Sequence, residues 1–172
     1  MLKPVLNARR GARGLTLIEL MITIAVLAVG LSLATPSFTL QISNYRVRAA
    51  AESMLNGLNY ARTEAVRRNR PVSFTLSASG SGWSVDQVNP AESLQTRADG
   101  ETAGLTVAST TSSRAVTFTS TGMVDTSGTR LTQVNLSTSA SSTDTRRIDI
   151  FGGGLIRMCD PGVATLSDPR RC

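Results

Sequence analysis

Glu19 is the only ionisable residue in the run 15–35, LTLIELMITIAVLAVGLSLAT. A carboxylate inside so apolar a stretch is costly unless something neutralises it, so this residue in this place points to recognition. Other reactive chemistry is sparse. The chain has no histidine, which removes the commonest general base and metal ligand and excludes a Ser-His-Asp triad. The acidic residues are scattered, without the spacing of a glycosidase pair or a metal site. Gly152-Gly153-Gly154 follows a strand pattern and opens no helix, so it is not a phosphate loop. The expectation is a non-enzyme that needs no cofactor and no metal. Cys159 and Cys172 are the only cysteines, too few for a four-ligand zinc site. In an exported chain such a pair reads as one disulfide closing a short loop, the alternative being two free thiols.

The elements that must position these groups start with the apolar run itself. As a helix it is about 32 Å long, enough to cross a bilayer core. Lys3, Arg9, Arg10 and Arg13 all precede it, with no acidic residue among them. The positive-inside rule then keeps the N-terminus cytoplasmic and sends the rest outward. Of 18 basic residues, 14 remain after these four, against 12 acidic, so the net charge of +6 falls to a mild excess. Lys3 is the only lysine; arginine's planar fork suits phosphate better than a lysine does. Aromatics at 4% and charged residues at 17% suit a β-rich extracytoplasmic domain better than a cytosolic helical enzyme. Two processing schemes compete: a secretory cut at the small residues Ser32-Leu33-Ala34, or a cut before the run that keeps the helix. Glu19, the length of the run and the helical pattern that continues past Pro36 favour the second.

The octapeptide Arg13-Gly14-Leu15-Thr16-Leu17-Ile18-Glu19-Leu20 resembles the prepilin peptidase signature of type IV pilin-like precursors. The resemblance implies cleavage after Gly14 and N-methylation of the new terminus, Leu15. Phenylalanine usually stands there, and leucine keeps the apolar character. It also implies that Glu19 pairs with the charged N-terminus of a neighbouring subunit, neutralising both in an apolar filament core. Pro36 should kink or loosen the helix, and pilins commonly carry a proline near this place.

From residue 37 to about 70 the pattern stays helical. Phe38, Ile42, Tyr45 and Ala49 form one stripe, and Met54, Leu58, Ala61 and Ala65 another on roughly the opposite side. The first is read as facing neighbouring subunits and the second as packing on the chain's own sheet, the alternative being one broad apolar face. Residues 55–72, LNGLNYARTEAVRRNRPV, resemble the FimT/GspH group of minor pilins and pseudopilins: a leucine-rich turn, Ala-Arg-x-Glu-Ala, basic residues, then Pro-Val opening a strand. Pro71 stops the helix. Arg62, Arg67, Arg68 and Arg70 read mainly as a solvated cap that offsets the helix dipole.

Residues 72–158 alternate with period two in short stretches at 72–76, 83–87, 105–107, 116–118, 134–136 and 148–150. The segment 90–104 reads as a polar loop, and Trp83 as a core residue. The fold class expected is α+β: a long N-terminal helix packed on one or two small antiparallel sheets, as in type IV pilins. The expected organisation is a leader at 1–14, a membrane and filament-core helix at 15–36, its amphipathic continuation at 37–70, and a periplasmic β-rich domain at 71–172 ending in the disulfide loop.

Arg146, Arg147, Arg157, Arg170 and Arg171 are expected to gather around the Cys159–Cys172 loop. In FimT-type pilins a glycine followed by two arginines at alternate positions is linked to DNA binding. Here the run is Gly154-Leu155-Ile156-Arg157, with the first arginine replaced by Leu155. The resemblance implies a minor pilin that moves from the inner membrane to a surface pilus and helps to start or stabilise it near the tip. Its partners would be other major and minor pilins, the prepilin peptidase and the inner-membrane assembly platform. The alternatives are a receptor for double-stranded DNA in transformation and a GspH-like pseudopilin of type II secretion.

Overall fold

The computed structural model describes residues 16–78, 80–100, 104–138 and 144–172, without the side chains of 33–37. Gly14 and Leu15 lie outside the described residues, and so does the side chain of Pro36. Helix α1 is Leu17–Arg68, and its helical assignment runs through position 36. The chain divides into two compact units, one ending at Phe38 and the other comprising Thr39–Cys172.

In the first unit, Thr16 caps α1: its hydroxyl accepts the Glu19 amide at 3.3 Å and its carbonyl accepts that of Leu20. Thr16-x-x-Glu19 is the capping-box pattern, and a carboxylate in the first turn also suits the positive end of the helix dipole. Every large apolar side chain from Leu17 to Leu31 is between 56% and 79% exposed. The hydroxyls of Thr23 and Ser32 donate to Leu20 O and Val29 O at 2.8 Å, so these polar groups are satisfied within the helix. Among the described residues no helix is long and apolar enough to cross a membrane. The apolar sequence itself continues past Ser32, the last side chain described before the gap.

The second unit begins with the rest of α1. Val47, Ala51, Met54, Leu58, Ala61 and Ala65 are wholly buried, so the stripe expected to meet the sheet does so. Ile42 and Tyr45 stay exposed, which separates the two stripes and rules against one broad apolar face. The helix ends in a Schellman motif. Asn69 is left-handed at φ 51°, its amide reaches Val66 O and the Arg70 amide reaches Ala65 O. The stop is thus at Asn69, and Pro71 follows it rather than causing it.

Two four-stranded antiparallel sheets complete the unit. The first has order β3-β2-β1-β5, from β1 Val72–Leu76, β2 Trp83–Gln87, β3 Glu92–Arg97 and β5 Ala115–Phe118. The second has order β4-β6-β7-β8, from β4 Leu105–Ser109, β6 Gln133–Thr138, β7 Arg146–Ile150 and β8 Ile156–Cys159. The expected loop at 90–104 is overturned in its first half, where β3 pairs with β2 from Trp83↔Arg97 to Gln87↔Glu92. Its only apolar residue is Leu94, so no alternation betrays it; it is a polar edge strand held by backbone bonding, with charges that discourage further pairing. The cis Asn89–Pro90 peptide lies in the β2–β3 turn.

The buried stripe of α1 and the inner faces of both sheets share one core. Phe74 and Trp83 meet with ring centroids 5.7 Å apart over Gly57, where an added Cβ would come within 3.0 Å of both rings. Trp83 is buried as expected, and its Nε1–H donates to Ser53 Oγ at 3.1 Å. Each fully buried side chain of this size contributes roughly 1.5–3 kcal/mol. Gly122 and Gly154 stack turn on turn at the end of the two sheets. Both have positive φ, and a Cβ on Gly154 would sit 2.0 Å from Gly122 O.

Glu64 ties the helix end to the first sheet. It is buried and accepts Arg67 Nη2–H at 2.6 Å and Arg68 Nε–H at 2.8 Å, while Arg68 Nη1 reaches Glu92 on β3 at 2.7 Å. The Arg67 and then the Arg68 guanidinium hold its carboxyl down at about 2 from 4.5. A folded value below the unfolded one means that the stabilisation is complete above pH 4.5 and is lost as pH falls towards 2. Two predictions follow from these contacts, both read by urea unfolding of the full chain in mild detergent through its single tryptophan. Glu64→Gln should cost about 2 kcal/mol at pH 7 and flatten the loss of stability between pH 4.5 and 2. Gly154→Ala should cost at least about 2 kcal/mol at any pH, because it meets both a left-handed backbone and a carbonyl.

Candidate functional site

Two regions concentrate the candidate residues. The first is the start of α1, where Glu19 is exposed in the first turn among exposed leucines and isoleucines. Nothing in the unit neutralises it by an ion pair among the described residues, so its partner has to come from elsewhere.

The second region is the C-terminal loop. Cys159 at the end of β8 and Cys172 are disulfide-bonded, with Cα atoms 5.1 Å apart. A backbone bridge between Asp160 and Arg171 and the Asp160 amide bonding Arg170 O close the base of the loop. This brings the predicted arginines together. Arg157 Nη2 donates to Arg171 O at 2.6 Å, and Arg147, opposite Cys159 in the β7–β8 register, donates to Asn135 Oδ1 at 3.2 Å.

Carboxylates come with them. Arg146 is paired with Asp160 at 2.7 Å and lies 3.7 Å from Asp144. Arg170 is held by Asp168 at 2.8 Å, with its own amide on the same carboxylate, which lowers the Asp168 pKa from 3.8 to about 2. Asp149 stands opposite Arg157 across the strands. The loop is therefore a mixed-charge structure, braced by its own ion pairs, in which Arg147, Arg157 and Arg171 have no carboxylate partner among the described residues. Arginine spacing foretold the gathering; it carried no signal for how many of those charges would be cancelled.

The cluster at the helix end departs from expectation. Instead of a solvated cap, Arg67 and Arg68 grip Glu64, and Arg70 Nη1 donates to Asn89 O at 3.0 Å. Only Arg62 of the four is exposed with no hydrogen-bonding or ionic partner of its own. The sequence held a cue for Glu64, since residues three and four apart on a helix are neighbours, and Arg67 and Arg68 stand at those offsets. Exposed Met123, Phe151 and Leu155 had no such cue.

Known proteins place this architecture. Residues 50–154 match the family described as type II transport protein GspH, and residues 9–35 match the prokaryotic N-terminal methylation motif. The type II secretion system protein H of Xanthomonas campestris pv. campestris is 32% identical over 75 residues, 44% of this chain and 44% of that protein. The pilin-like protein PilA1 of Thermus thermophilus is 39% identical over 70 residues, 41% of this chain and 44% of that protein. The chain thus matches less than half the length of these curated relatives. In fold it is similar to the type IV minor pilin FimU of Pseudomonas aeruginosa in two crystal forms. One gives a TM-score of 0.58 at 23% identity over 72% of this chain and 95% of that one; the other gives 0.55 at 25% identity over 70% and 98%. A helix on antiparallel sheets, a methylation motif ahead of it and a family match over most of the chain agree: this protein belongs to the GspH family of type IV pilin-like minor pilins and pseudopilins, which are structural subunits and not enzymes.

Proposed function

We propose that this chain is a minor subunit of a type IV pilus. It is made as an inner-membrane precursor with a cytoplasmic N-terminus and a periplasmic domain. The prepilin peptidase cuts it after Gly14 and methylates Leu15, and the assembly platform then lifts it into the filament among other pilins, near the tip. The observation that carries this reading is the state of the first unit: apolar side chains exposed all round a helix whose one carboxylate lacks a partner. Such a helix is stable in lipid or in a bundle of its own kind, and not in water. A neighbour's charged N-terminus is what Glu19 needs in either surrounding. Likeness to a type IV minor pilin supports the pilus, while the Xanthomonas relative supports the secretion pseudopilin as the alternative.

The DNA-receptor reading draws on Arg147, Arg157 and Arg171 and is weakened by the carboxylates that pair Arg146 and Arg170. The loop is better read as a rigid surface element.

Mass spectrometry of the protein from its own cells should find a mature terminus at N-methyl-Leu15; a terminus at Thr35 would sink the pilin reading. Glu19→Ala should leave cleavage intact and lower recovery in sheared filaments by about tenfold, the effect of roughly 1.4 kcal/mol of lost pairing. Double-stranded DNA titrated onto the oxidised full chain in detergent should show a log–log salt slope no steeper than about −3, as expected for three free cations. A steeper slope, lost on changing Arg157, Arg170 and Arg171 to Gln, would bring the receptor role to the front.

A further inference from the structure

A second surface, on the globular unit, has no role in the fold or in the proposal above. Val66, Met123, Phe151 and Leu155 are 52%, 53%, 47% and 60% exposed. Backbone contacts bring them to one place. Val66 Cγ2 lies 3.0 Å from where a Gly122 Cβ would be, and Gly122 O packs on Gly154. The Val124 amide donates to Gly152 O at 3.0 Å, and the Phe151 amide to Leu155 O at 2.9 Å. Beside them an open groove of about 410 Å³ runs along α1, lined by Asn59, Arg62, Thr63, Val66 and Arg67.

The charge on this face is specific. Arg67 and Arg68 are committed to Glu64, Arg68 also to Glu92, and Arg70 to a carbonyl. Asp125, near Met123 in sequence, accepts the Ser127 amide and feels Arg130. Arg62 alone points a guanidinium without a carboxylate at the groove, its Nε lying 3.2 and 3.4 Å from where Cβ atoms of Gly154 and Gly122 would be.

One unneutralised arginine ringed by apolar side chains matches a carboxylate flanked by apolar residues. The planar fork takes a carboxylate bidentately, and the apolar rim keeps water from the pair. Nucleic acid fits poorly, since a phosphate backbone asks for several cations and offers nothing to Met123, Phe151 or Leu155. A second copy fits poorly too, because a two-fold contact would bury two Arg62 charges with no carboxylate between them.

We propose that Val66, Met123, Phe151 and Leu155 around Arg62 form a docking face for an acidic, apolar-flanked segment of a different subunit in the same filament. This rests on the reading of the chain as a filament subunit.

The test uses the full chain in its own cells, with the photo-crosslinker p-benzoylphenylalanine placed either at Leu155 or, as a separate reporter of filament packing, at Tyr45. The expected adduct at Leu155 joins a different pilin-like protein within a few residues of an Asp or Glu, identified by mass spectrometry. Arg62→Glu should cut that adduct by about tenfold, equivalent to one lost charge pair, while the Tyr45 adduct and the protein level stay unchanged. Changing the partner's carboxylate to Lys should restore it. The proposal is overturned by a Leu155 adduct to a second copy or to nucleic acid, by one indifferent to Arg62→Glu, or by none while Tyr45 still crosslinks. Absence of adducts from both positions would overturn the filament reading and this proposal with it.

Discussion

Helix α1 has to satisfy two surroundings that demand opposite surfaces. Its first part exposes leucine, isoleucine and valine on every side, and only a non-aqueous surrounding makes that tolerable. Its second part is amphipathic, with small alanines at 51, 61 and 65 letting a sheet approach closely on one side. Internal bonding in the first part follows the same demand: Thr23 and Ser32 turn their hydroxyls back onto the helix backbone, so that Glu19 alone is left asking for a partner. The chemistry of recognition is thereby reduced to one carboxylate whose cost of burial enforces a correct neighbour.

The globular unit depends on how firmly the second part of the helix is fixed to the sheets. Glycine at 57 lets Phe74 and Trp83 reach the helix, and Ser53 answers the indole N–H. At the helix end, Glu64 binds two arginines and one of those binds β3, so an edge strand with almost no apolar content is held by charge as well as by backbone pairing. The Schellman turn at Asn69 then sets the chain off into β1 at once. A buried carboxylate with two guanidinium donors is a stable arrangement only because both donors keep access to water on their outer sides.

Much of this was legible in the sequence because it rests on periodicity. The stripe at 54, 58, 61 and 65 and the alternation at 72–76 and 83–87 each report a buried face directly. Strand β3 was not legible, because ESLQTR buries neither face and pairing through the backbone leaves no mark on side-chain type. The gathering of arginines by the disulfide loop could be foreseen from residue order, whereas the pairing of Arg146 with Asp160 and of Arg170 with Asp168 depends on loop geometry. Exposure of Met123, Phe151 and Leu155 was hidden for the opposite reason: they are apolar residues in a β-rich region, and pattern alone assigns such residues to the core.

These differences separate two kinds of information along the chain. The first unit carries features that any filament subunit needs, an apolar helix and one carboxylate, and they say little about which neighbour is taken. Selectivity has to lie where side chains are idiosyncratic. In the C-terminal loop most of the charge is spent on holding the loop itself, since the acids that brace it also cancel its field. At the end of α1 the reverse holds: Glu64 absorbs Arg67 and Arg68 and leaves Arg62 free beside exposed apolar side chains. A charge left over in an otherwise neutralised, partly apolar surface discriminates strongly, because a partner without a carboxylate at that point must desolvate the guanidinium for nothing in return.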